Sequence, residues 1–307
     1  MKIGFIGLGM MGRGMAGNLQ KAGHDLVVHD IAKQMAAPFI EKGATWADTP
    51  KAVAEACDLV FTSLPTPADV ENVCNGENGL ASGFRKGAAW FDFSTNALSV
   101  VRKLNSELAA KGVSFLDAPI SGGPAGAASG KLAILVGGDK AVWDKYKPVF
   151  DQIADQAQYI GDIGSGTITK LAHNMASSAM KTVLAEVITM GVKAGMEPLT
   201  LWKAMRSGVA GRARGFDNVV NFLTGKMDPP SFALRLAQKD VNLALQLGRE
   251  LDVPMRLCNA LGQDMHEAMS RGWGGRDAQA VLALQNERAG IEPIKIPEEE
   301  VRKVLQS

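Results

Sequence analysis

The sequence has little cysteine and almost no net charge. Its 307 residues include three cysteines, widely spaced and without a Cys-x-x-Cys pair, so neither a disulfide framework nor a metal site is expected. Lysine plus arginine number 33 and aspartate plus glutamate 32, a net charge of +1. Such a balance provides no overall attraction to nucleic acid or to an anionic membrane.

Long hydrophobic runs are missing as well. No stretch approaches the roughly 18 uninterrupted apolar residues that a membrane span requires. The N-terminus carries one basic residue and a very short apolar run before glycines begin, whereas a signal peptide has a longer apolar region and a cleavage site. Together with cysteines that are expected to stay reduced, these features predict a cytoplasmic protein.

Glycine, in contrast, is abundant. Its 34 residues are about 11% of the chain, against roughly 7% in average proteins. The glycines follow no three-residue period, which excludes a collagen-like protein. They are concentrated in short clusters at predicted strand-to-helix turns and near the middle of the chain, and open α/β sheets bind ligands at such turns.

The first half of the chain alternates short apolar runs with helical patterns. The runs predicted as strands cover residues 2–6, 26–30, 59–64, 90–94, 114–117, 132–136 and 158–160. The helical patterns between them include residues 11–22, 33–42, 50–56 and 98–111. Because most of the runs are apolar on both faces, they indicate buried strands of a doubly wound parallel sheet.

The second half predicts helices. Residues 167–194 are good helix formers without proline, and at 1.5 Å per residue such a helix would extend roughly 40 Å. From residue 198 to about 290, leucine, alanine and methionine recur at helical spacing, and Pro297 with three glutamates is placed to start a short terminal helix. We therefore expect an α/β domain over residues 1–163 and an all-α domain over residues 164–307, joined by the long helix.

The first predicted strand leads into Gly7-Leu8-Gly9-Met10-Met11-Gly12, which fits G-x-G-x-x-G. The pattern is weak alone, but here it follows an apolar strand and opens a helix, the arrangement of an NAD-binding Rossmann domain. Gly7 would permit a tight turn, Gly9 a close approach to the pyrophosphate, and Gly12 close packing of helix on strand. The helix N-terminus would supply N–H groups for the phosphates. A turn without a ligand, or a mononucleotide or flavin site, is the alternative.

Asp30 ends the second predicted strand. It stands 23 positions after Gly7, near the roughly 20 expected of an acid that binds the adenosine ribose. Its carboxylate would repel a 2′-phosphate, so NAD is favoured over NADP as the cofactor. Lys33 could meet such a phosphate, but no arginine stands beside Asp30. The alternative for Asp30 is a surface acid that caps the next helix.

Three further segments contain residue types suited to chemistry. They read DAPISGGPAGA at residues 117–127, GDIGSGTITKLAHN at residues 161–174 and FALRLAQKD at residues 232–240. With the loop at Gly7, these motifs closely resemble, in the same order, those of the β-hydroxyacid dehydrogenase family, from Lys2 to about Gly290. Its best-known members are 3-hydroxyisobutyrate dehydrogenase and tartronate semialdehyde reductase. The resemblance implies an NAD(P)-dependent enzyme acting on a CH–OH group and is not specific for the substrate.

Lys170 and Asn174 stand four residues apart, on one face of the predicted helix. Apolar neighbours would desolvate the lysine and lower its pKa from about 10.4 towards neutrality, so that it could exchange a proton with a substrate oxygen. Asn174 could hold the same hydroxyl or orient the lysine. The spacing alone favours a snorkelling surface lysine, whereas the resemblance implies that Lys170 is the catalytic lysine.

The segment Ser121-Gly122-Gly123 offers a hydroxyl and closely spaced backbone N–H groups, which suit a carboxylate, although a flexible loop would have the same composition. The resemblance implies that this segment holds the carboxylate of the substrate. It also implies cofactor-lining roles for Leu64, Pro65, Thr95 and Lys239. Lys239 could instead form a structural ion pair with Asp240, and Phe232 could wall the nicotinamide or belong to the core.

A histidine and three arginines in or near these motifs can each be interpreted in two ways. His173 precedes Asn174 as in the Lys-x-x-His-Asn of 6-phosphogluconate dehydrogenase, a relative with a similar cofactor domain, and could bind substrate or simply pack. Arg206, Arg212 and Arg214 could clamp a second anionic group of the substrate. They could equally belong to a solvated charged turn, which the surrounding composition favours.

The sequence thus predicts an NAD-dependent enzyme that reversibly oxidises the hydroxyl of a small β-hydroxyacid, such as 3-hydroxyisobutyrate, to the semialdehyde. Tartronate semialdehyde or another anionic semialdehyde, for example a sulfonated one, is the alternative substrate. A non-catalytic NAD-sensing protein and an imine reductase would share the same fold. Lys170 argues against both, because a sensor needs no proton donor and imine reductases usually replace this lysine. The resemblance further implies a homodimer or homotetramer.

Overall fold

A computed structural model describes residues 1–193, 195–208, 219–250 and 256–306 of the chain. The chain divides into two compact units, Met1–Lys170 and Leu171–Ser307. The first unit is an α/β sheet domain, and the described part of the second is built of helices. This confirms the predicted fold class. None of the helices formed by described residues combines the length and apolar character that a membrane crossing requires.

Nine strands of the described residues form one sheet. They are β1 Lys2–Ile6, β2 Asp25–His29, β3 Thr45–Trp46, β4 Leu59–Thr62, β5 Ala89–Asp92, β6 Ser114–Asp117, β7 Ile120–Ser121, β8 Leu132–Gly137 and β9 Ala154–Gly161. Their order is β3-β2-β1-β4-β5-β6-β8-β7, with β9 paired to β8. The chain builds outward from β1 in one direction and from β4 in the other. The boundary between β1 and β4 is therefore a topological switch point, where sheets of this kind bind ligands.

The parallel sheet expected from the sequence is present in strands β1 to β6, which pair in parallel throughout. The far end differs, because β8 runs antiparallel to β6 and to β7, and β9 then pairs with β8 in parallel. The connection from β6 to β8 contains the two-residue strand β7 and a seven-residue helix. A connection that returns as a hairpin reverses the strand direction, whereas a parallel partner needs a full crossover.

Seven helices of the first unit connect these strands. They are α1 Gly12–Lys21, α2 Ala37–Ile40, α3 Pro50–Ala56, α4 Pro67–Asn75, α5 Leu98–Ala109, α6 Gly123–Ser129 and α7 Lys140–Phe150, all within the described part of the chain. Two of them begin with a Thr-Pro pair. The hydroxyl oxygens of Thr49 and Thr66 accept hydrogen bonds from the N–H groups of Ala52 and Asp69. Threonine at the N-cap and proline at the first helical position therefore fix both helix starts.

Both faces of the sheet are covered by core residues. On one face, the rings of Phe61 and Phe93 stack with centroids 5.0 Å apart, and Phe150 of α7 meets Phe61 edge-on at 5.6 Å. On the other face, Trp90 and Phe115 lie 4.4 Å apart. Because side chains alternate along a strand, strands that are apolar on both faces, as in the sequence, must have a core on each side.

The second unit packs its helices around a separate core that includes Trp202, Phe222 and Leu234. The helices are α8 Ser165–Lys193, which begins in the first unit, α9 Pro198–Ser207, α10 Val220–Thr224, α11 Leu234–Glu250, α12 Arg256–Ser270, α13 Ala283–Arg288 and α14 Glu298–Gln306. The long helix predicted over residues 167–194 and the helix after Pro297 are thus present. Residue 194 of the predicted long helix, and residues 209–218 and 251–255 of the predicted helical region, lie outside the described residues.

Candidate cofactor and active site

The glycine-rich motif forms the turn between β1, which ends at Ile6, and α1, which begins at Gly12. Gly7 has a φ of +91°, in the left-handed region that favours glycine. A Cβ built at Gly12 would lie 1.8 Å from the carbonyl oxygen of Gly7, so only glycine fits where the helix begins. At Gly9 the described residues place no atom within 4 Å of such a Cβ. The backbone is therefore open to a ligand at Gly9 and closed at Gly7 and Gly12.

Asp30 holds this loop to the segment that follows β2. One carboxylate oxygen accepts the N–H of Leu8 at 2.7 Å, and the other accepts the N–H of Ala32 at 2.8 Å. Its neighbour Ile31 is fully exposed. The ammonium of Lys33 lies 5.3 Å from the centre of the Trp46 ring, in a cation–π contact. Asp30 therefore brings a negative charge to the glycine loop.

A row of polar residues crosses the carboxyl edge of the sheet. The strand register pairs Thr62 of β4 with Asp92 of β5, Asp92 with Asp117 of β6, and Asp117 with Gly137 of β8. Asp92 and Asp117 are 1% and 2% exposed. Buried carboxylates need hydrogen-bond partners, so the contacts of each show what it holds in place.

The Asp92 carboxylate organises the loops after β4 and β5. It accepts hydrogen bonds from the hydroxyls of Thr62 at 2.7 Å and Ser94 at 2.6 Å, and from the amide of Asn96 at 3.1 Å. The Ser94 hydroxyl in turn accepts the N–H of Leu64 at 2.9 Å. Burial raises the pKa of Asp92, although the hydrogen bonds from Ser94 and Thr62 oppose that shift.

This network fixes the backbone at Leu64 and next to Thr95, two of the residues predicted to line the cofactor. Sequence reasoning missed Asp92. The available signal was an acid at the end of an otherwise apolar strand, three residues before Thr95.

The segment predicted to hold the substrate carboxylate lies at the turn from β7 to α6. Ser121 pairs with Ala133 of β8, and Gly122 and Gly123 have φ values of +132° and +63°. Within the described ranges, a Cβ at Gly123 would meet no atom within 4 Å, whereas one at Gly122 would lie 3.1 Å from the Leu132 side chain. Glycine thus gives this turn its backbone conformation and leaves the main chain at Gly123 uncovered.

Lys170 lies in the second turn of α8 and is 9% exposed, so it is not the snorkelling surface lysine that its spacing alone favoured. His173, three residues later, is exposed. The Asn174 amide nitrogen donates to a carboxylate oxygen of Asp240 at 2.8 Å. With its nitrogen turned to Asp240, Asn174 presents its amide oxygen elsewhere as a hydrogen-bond acceptor.

Lys239 forms an ion pair with the same carboxylate, its ammonium 3.0 Å from the other oxygen of Asp240. The structural ion pair considered as an alternative for Lys239 is therefore present. Asp240 is 6% exposed, and sequence reasoning treated it only as a neighbour of the lysine. Its contacts show that it orients both Asn174 and Lys239.

Phe232 is 44% exposed, so the core role considered for it is wrong. The loop that carries it is held by Asp277, which is 1% exposed and accepts the N–H of Ser231 at 2.9 Å and its hydroxyl at 2.7 Å. The Phe232 carbonyl accepts the N–H of Ala278 at 2.7 Å. Asp277 was not recognised from the sequence, because its partners lie more than 40 positions earlier.

Arg206 has a different role from either of those considered. It donates a hydrogen bond to the carbonyl of Val304, in the last turn of α14, and its guanidinium lies 5.6 Å from the centre of the Trp202 ring. A cation at a helix C-terminus satisfies carbonyls that lack a helical partner. Arg206 therefore ties the C-terminal helix to α9. Arg212 and Arg214 lie outside the described residues.

Two family models cover most of the chain. One, described as the NAD binding domain of 6-phosphogluconate dehydrogenase, matches residues 2–161. The other, described as NAD-binding of NADP-dependent 3-hydroxyisobutyrate dehydrogenase, matches residues 164–285. The matches follow one another along the chain in the same order as the sheet domain and the helices.

Individual relatives agree with these models. The chain is 34% identical to 2-(hydroxymethyl)glutarate dehydrogenase of Eubacterium barkeri, over 95% of this chain and 97% of that protein. It is 36% identical to 2-hydroxy-3-oxopropionate reductase of Escherichia coli, over 82% and 85%. A solved structure of Mycobacterium tuberculosis 3-hydroxyisobutyrate dehydrogenase with L-serine superposes with a TM-score of 0.82 at 27% identity, over 92% and 98%. The chain therefore belongs to the β-hydroxyacid dehydrogenase family of NAD(P)-dependent oxidoreductases.

Proposed function

We propose that the protein is an NAD-dependent dehydrogenase that reversibly oxidises the hydroxyl of a small β-hydroxyacid to the semialdehyde, with Lys170 as general acid/base. The burial of Lys170, which is 9% exposed, carries the proposal. Removing an ammonium from water costs free energy, and buried titratable groups of this kind are frequent at active sites. Asn174 follows it by one helical turn, with its amide oriented by Asp240. The names of the relatives support the substrate class.

The glycine loop fits a dinucleotide, because its backbone is open at Gly9 and Asp30 lies against it. Gly7-Leu8-Gly9-Met10-Met11-Gly12 would hold the pyrophosphate at the N-terminus of α1, and Asp30 would hold the adenosine ribose. The remaining cofactor contacts would come from Leu64, Pro65, Thr95 and Lys239. When bound, the nicotinamide supplies or accepts the hydride.

The residues of the chain itself position the substrate and handle the proton. Ser121-Gly122-Gly123 would bind the carboxylate through the serine hydroxyl and the uncovered backbone. In the oxidation, the Lys170 amine takes the proton of the substrate hydroxyl, and in the reduction its ammonium donates a proton to the carbonyl oxygen. The amide oxygen of Asn174 accepts a hydrogen bond from the hydroxyl or from the lysine, which keeps the two aligned.

Among substrates, we propose a 3-hydroxyisobutyrate-like acid. The second candidate is tartronate semialdehyde or another anionic semialdehyde, sulfonated ones included, and it is supported by the relative from Escherichia coli.

The oligomeric state, the domain limits and the location of the protein stay predictions. We predict a homodimer or homotetramer formed through the helices, a domain boundary between residues 163 and 164, and a cytoplasmic location. The three free cysteines agree with a reducing compartment.

A turnover assay on a panel of β-hydroxyacids and semialdehydes, with NAD and NADP in parallel, tests this function. We expect NAD-linked oxidation of at least one β-hydroxyacid. A folded protein that binds NAD but turns over none of the panel would instead support a non-catalytic NAD-sensing protein. Preferential reduction of an imine would support an imine reductase.

Asp30→Ala is expected to lower the preference for NAD over NADP by about 10-fold, because it removes a negative charge that would face a 2′-phosphate. Since the Asp30 carboxylate also accepts the N–H of Leu8, the affinity for NAD should fall while that for NADP rises or stays level. The ratio of kcat/KM values with the two cofactors measures the effect. Asp25→Ala is the matched control, because Asp25 is exposed at the opposite end of β2. An unchanged ratio in Asp30→Ala would remove Asp30 from the cofactor site.

A further inference from the structure

We propose that Asp117 is a positioning residue, which fixes the start of helix α8, and with it Lys170, to the carboxyl end of strand β6. The inference rests on the catalytic role proposed for Lys170. Asp117 is the last residue of β6 and is almost completely buried. Neither its position at the end of a strand nor its residue type alone would give it this role, which follows from its contacts.

Both carboxylate oxygens of Asp117 bind the entry to the helix. One accepts the N–H of Gly164 at 2.7 Å, and the other accepts the N–H of Thr167 at 2.6 Å. The first N–H groups of a helix have no partner within the helix and usually bind the side chain of the residue before it. Here that residue is Gly164, which has no side chain. The carboxylate of Asp117, from a distant strand, therefore acts in place of the missing N-cap side chain. A negative charge at this position also suits the positive end of the helix dipole.

Two glycines allow the backbone to approach this carboxylate closely. A Cβ at Gly166 would lie 2.2 Å from the Leu135 carbonyl oxygen and 3.0 Å from a carboxylate oxygen of Asp117, and a Cβ at Gly137 would lie 2.7 Å from the other carboxylate oxygen. The first turn of α8 is thus packed directly against β6 and β8, without room for a larger residue. We call the Asp117 carboxylate, its two short hydrogen bonds and the glycines packed around it the anchor of α8.

The anchor links two parts of the proposed site. Asp117 begins the segment that contains Ser121-Gly122-Gly123, the proposed cradle for the substrate carboxylate. Thr167 lies three residues before Lys170, so about 4.5 Å of helix separates the anchored backbone from that of the lysine. One side chain therefore sets the position of the proposed acid/base relative to the strand that leads into the substrate cradle.

A purely stabilising role fits Asp117 poorly. Burial raises the pKa of Asp117, and the hydrogen bonds from Gly164 and Thr167 only partly offset this shift. A carboxyl whose pKa is raised on folding contributes most to stability at low pH, and that contribution is lost as pH rises through its folded pKa. Raising the pH therefore lowers the contribution of Asp117 to stability, so stability alone does not account for a carboxyl at this position. Asp117→Asn removes the ionisable group and one acceptor, so the two effects oppose each other in the stability of the variant.

Hydrogen–deuterium exchange and kinetics of Asp117→Asn test the proposal, with Asp92→Asn as the matched control. Asp92 is the register partner of Asp117 and equally buried, but its carboxylate holds the loops at Leu64 and Ser94. We expect Asp117→Asn to speed amide exchange in residues 164–170 by about 10-fold or more and to lower kcat by about 10-fold, with the Kd for NAD unchanged. Asp92→Asn should weaken NAD binding and leave exchange at the start of α8 as in the wild type.

Unchanged exchange in residues 164–170 of Asp117→Asn overturns the anchor, and faster exchange with an unchanged kcat overturns the positioning role. Lys170→Ala separates this inference from the proposed function. If Lys170→Ala keeps its turnover, the proposed function fails, while the exchange measurement still decides on the anchor. Where Asp117→Asn does not fold, Asp117→Ser, which is smaller and neutral, provides the same comparison.

Discussion

Replacing Lys170 by alanine is expected to lower kcat by about 10²–10⁴-fold, the usual contribution of a general acid or base. The reason is that hydride transfer to a carbonyl leaves an alkoxide unless a proton arrives at the oxygen, and Lys170 is the donor that the proposed site provides. The substrate that performs best in the panel is used, in both reaction directions. Circular dichroism and the thermal midpoint establish that the variant is folded.

Lys170→Arg separates proton transfer from charge. Arginine keeps the positive charge but does not deprotonate in proteins, so it cannot take a proton from the hydroxyl. We expect Lys170→Arg to be nearly as slow as Lys170→Ala, and small primary amines to restore part of the activity of the alanine variant. Near-normal turnover of folded Lys170→Ala would contradict the mechanism. Near-normal turnover of Lys170→Arg would reduce the role of the lysine to electrostatic stabilisation.

The fold could be predicted where the pattern is local. Strands β4 and β5 are buried on both faces over their whole length, so their apolar runs marked them directly. Strands β3 and β7 have two residues each, too few for any periodicity to show. The reversal of direction at β8 depends on how the connection after β6 folds back, and a run of apolar residues contains no information about strand direction.

The candidate site likewise combines residues that are close in the sequence with residues that are far apart in it. The glycine loop and the pair Lys170 and Asn174 are contiguous or one helical turn apart, so the sequence alone brings them together. Their supports come from far along the chain. Asp117 is 47 positions from Gly164, and Asp240 is 66 positions from Asn174. Such pairs depend on strand register and helix packing, which a single sequence does not reveal.

Arg206 shows how local composition can mislead. Its neighbours include other arginines, serine and glycines, which favoured a solvated turn. Its hydrogen-bond partner, the carbonyl of Val304, lies 98 positions away at the end of the chain. The guanidinium of Arg206 therefore binds the C-terminal end of α14. This contact depends on the proximity of α14 to α9, which the local sequence does not encode.

Gly9→Ala is expected to weaken NAD binding by about 100-fold while leaving the thermal midpoint unchanged or slightly raised. Around Gly9, the part of the chain that the structure describes places no atom within 4 Å of a Cβ, and its φ lies outside the left-handed region. The protein itself therefore tolerates alanine, which also restricts the unfolded chain. A pyrophosphate that approaches the Gly9 backbone would meet the added methyl group. Calorimetric titration with NAD and a thermal melt measure the two quantities.

Two other glycines on the same turn and helix make this prediction decisive. Gly17, inside α1, likewise has no described atom within 4 Å of a Cβ, and Gly17→Ala should stabilise the protein by up to about 1 kcal/mol with NAD binding unchanged. Gly12→Ala should impair folding and binding together, because its Cβ would lie 1.8 Å from the Gly7 carbonyl. If NAD binds at this loop, Gly9→Ala should keep its stability as Gly17→Ala does, but should bind NAD as poorly as Gly12→Ala. If Gly9→Ala binds NAD as tightly as the wild type, the cofactor does not contact this turn.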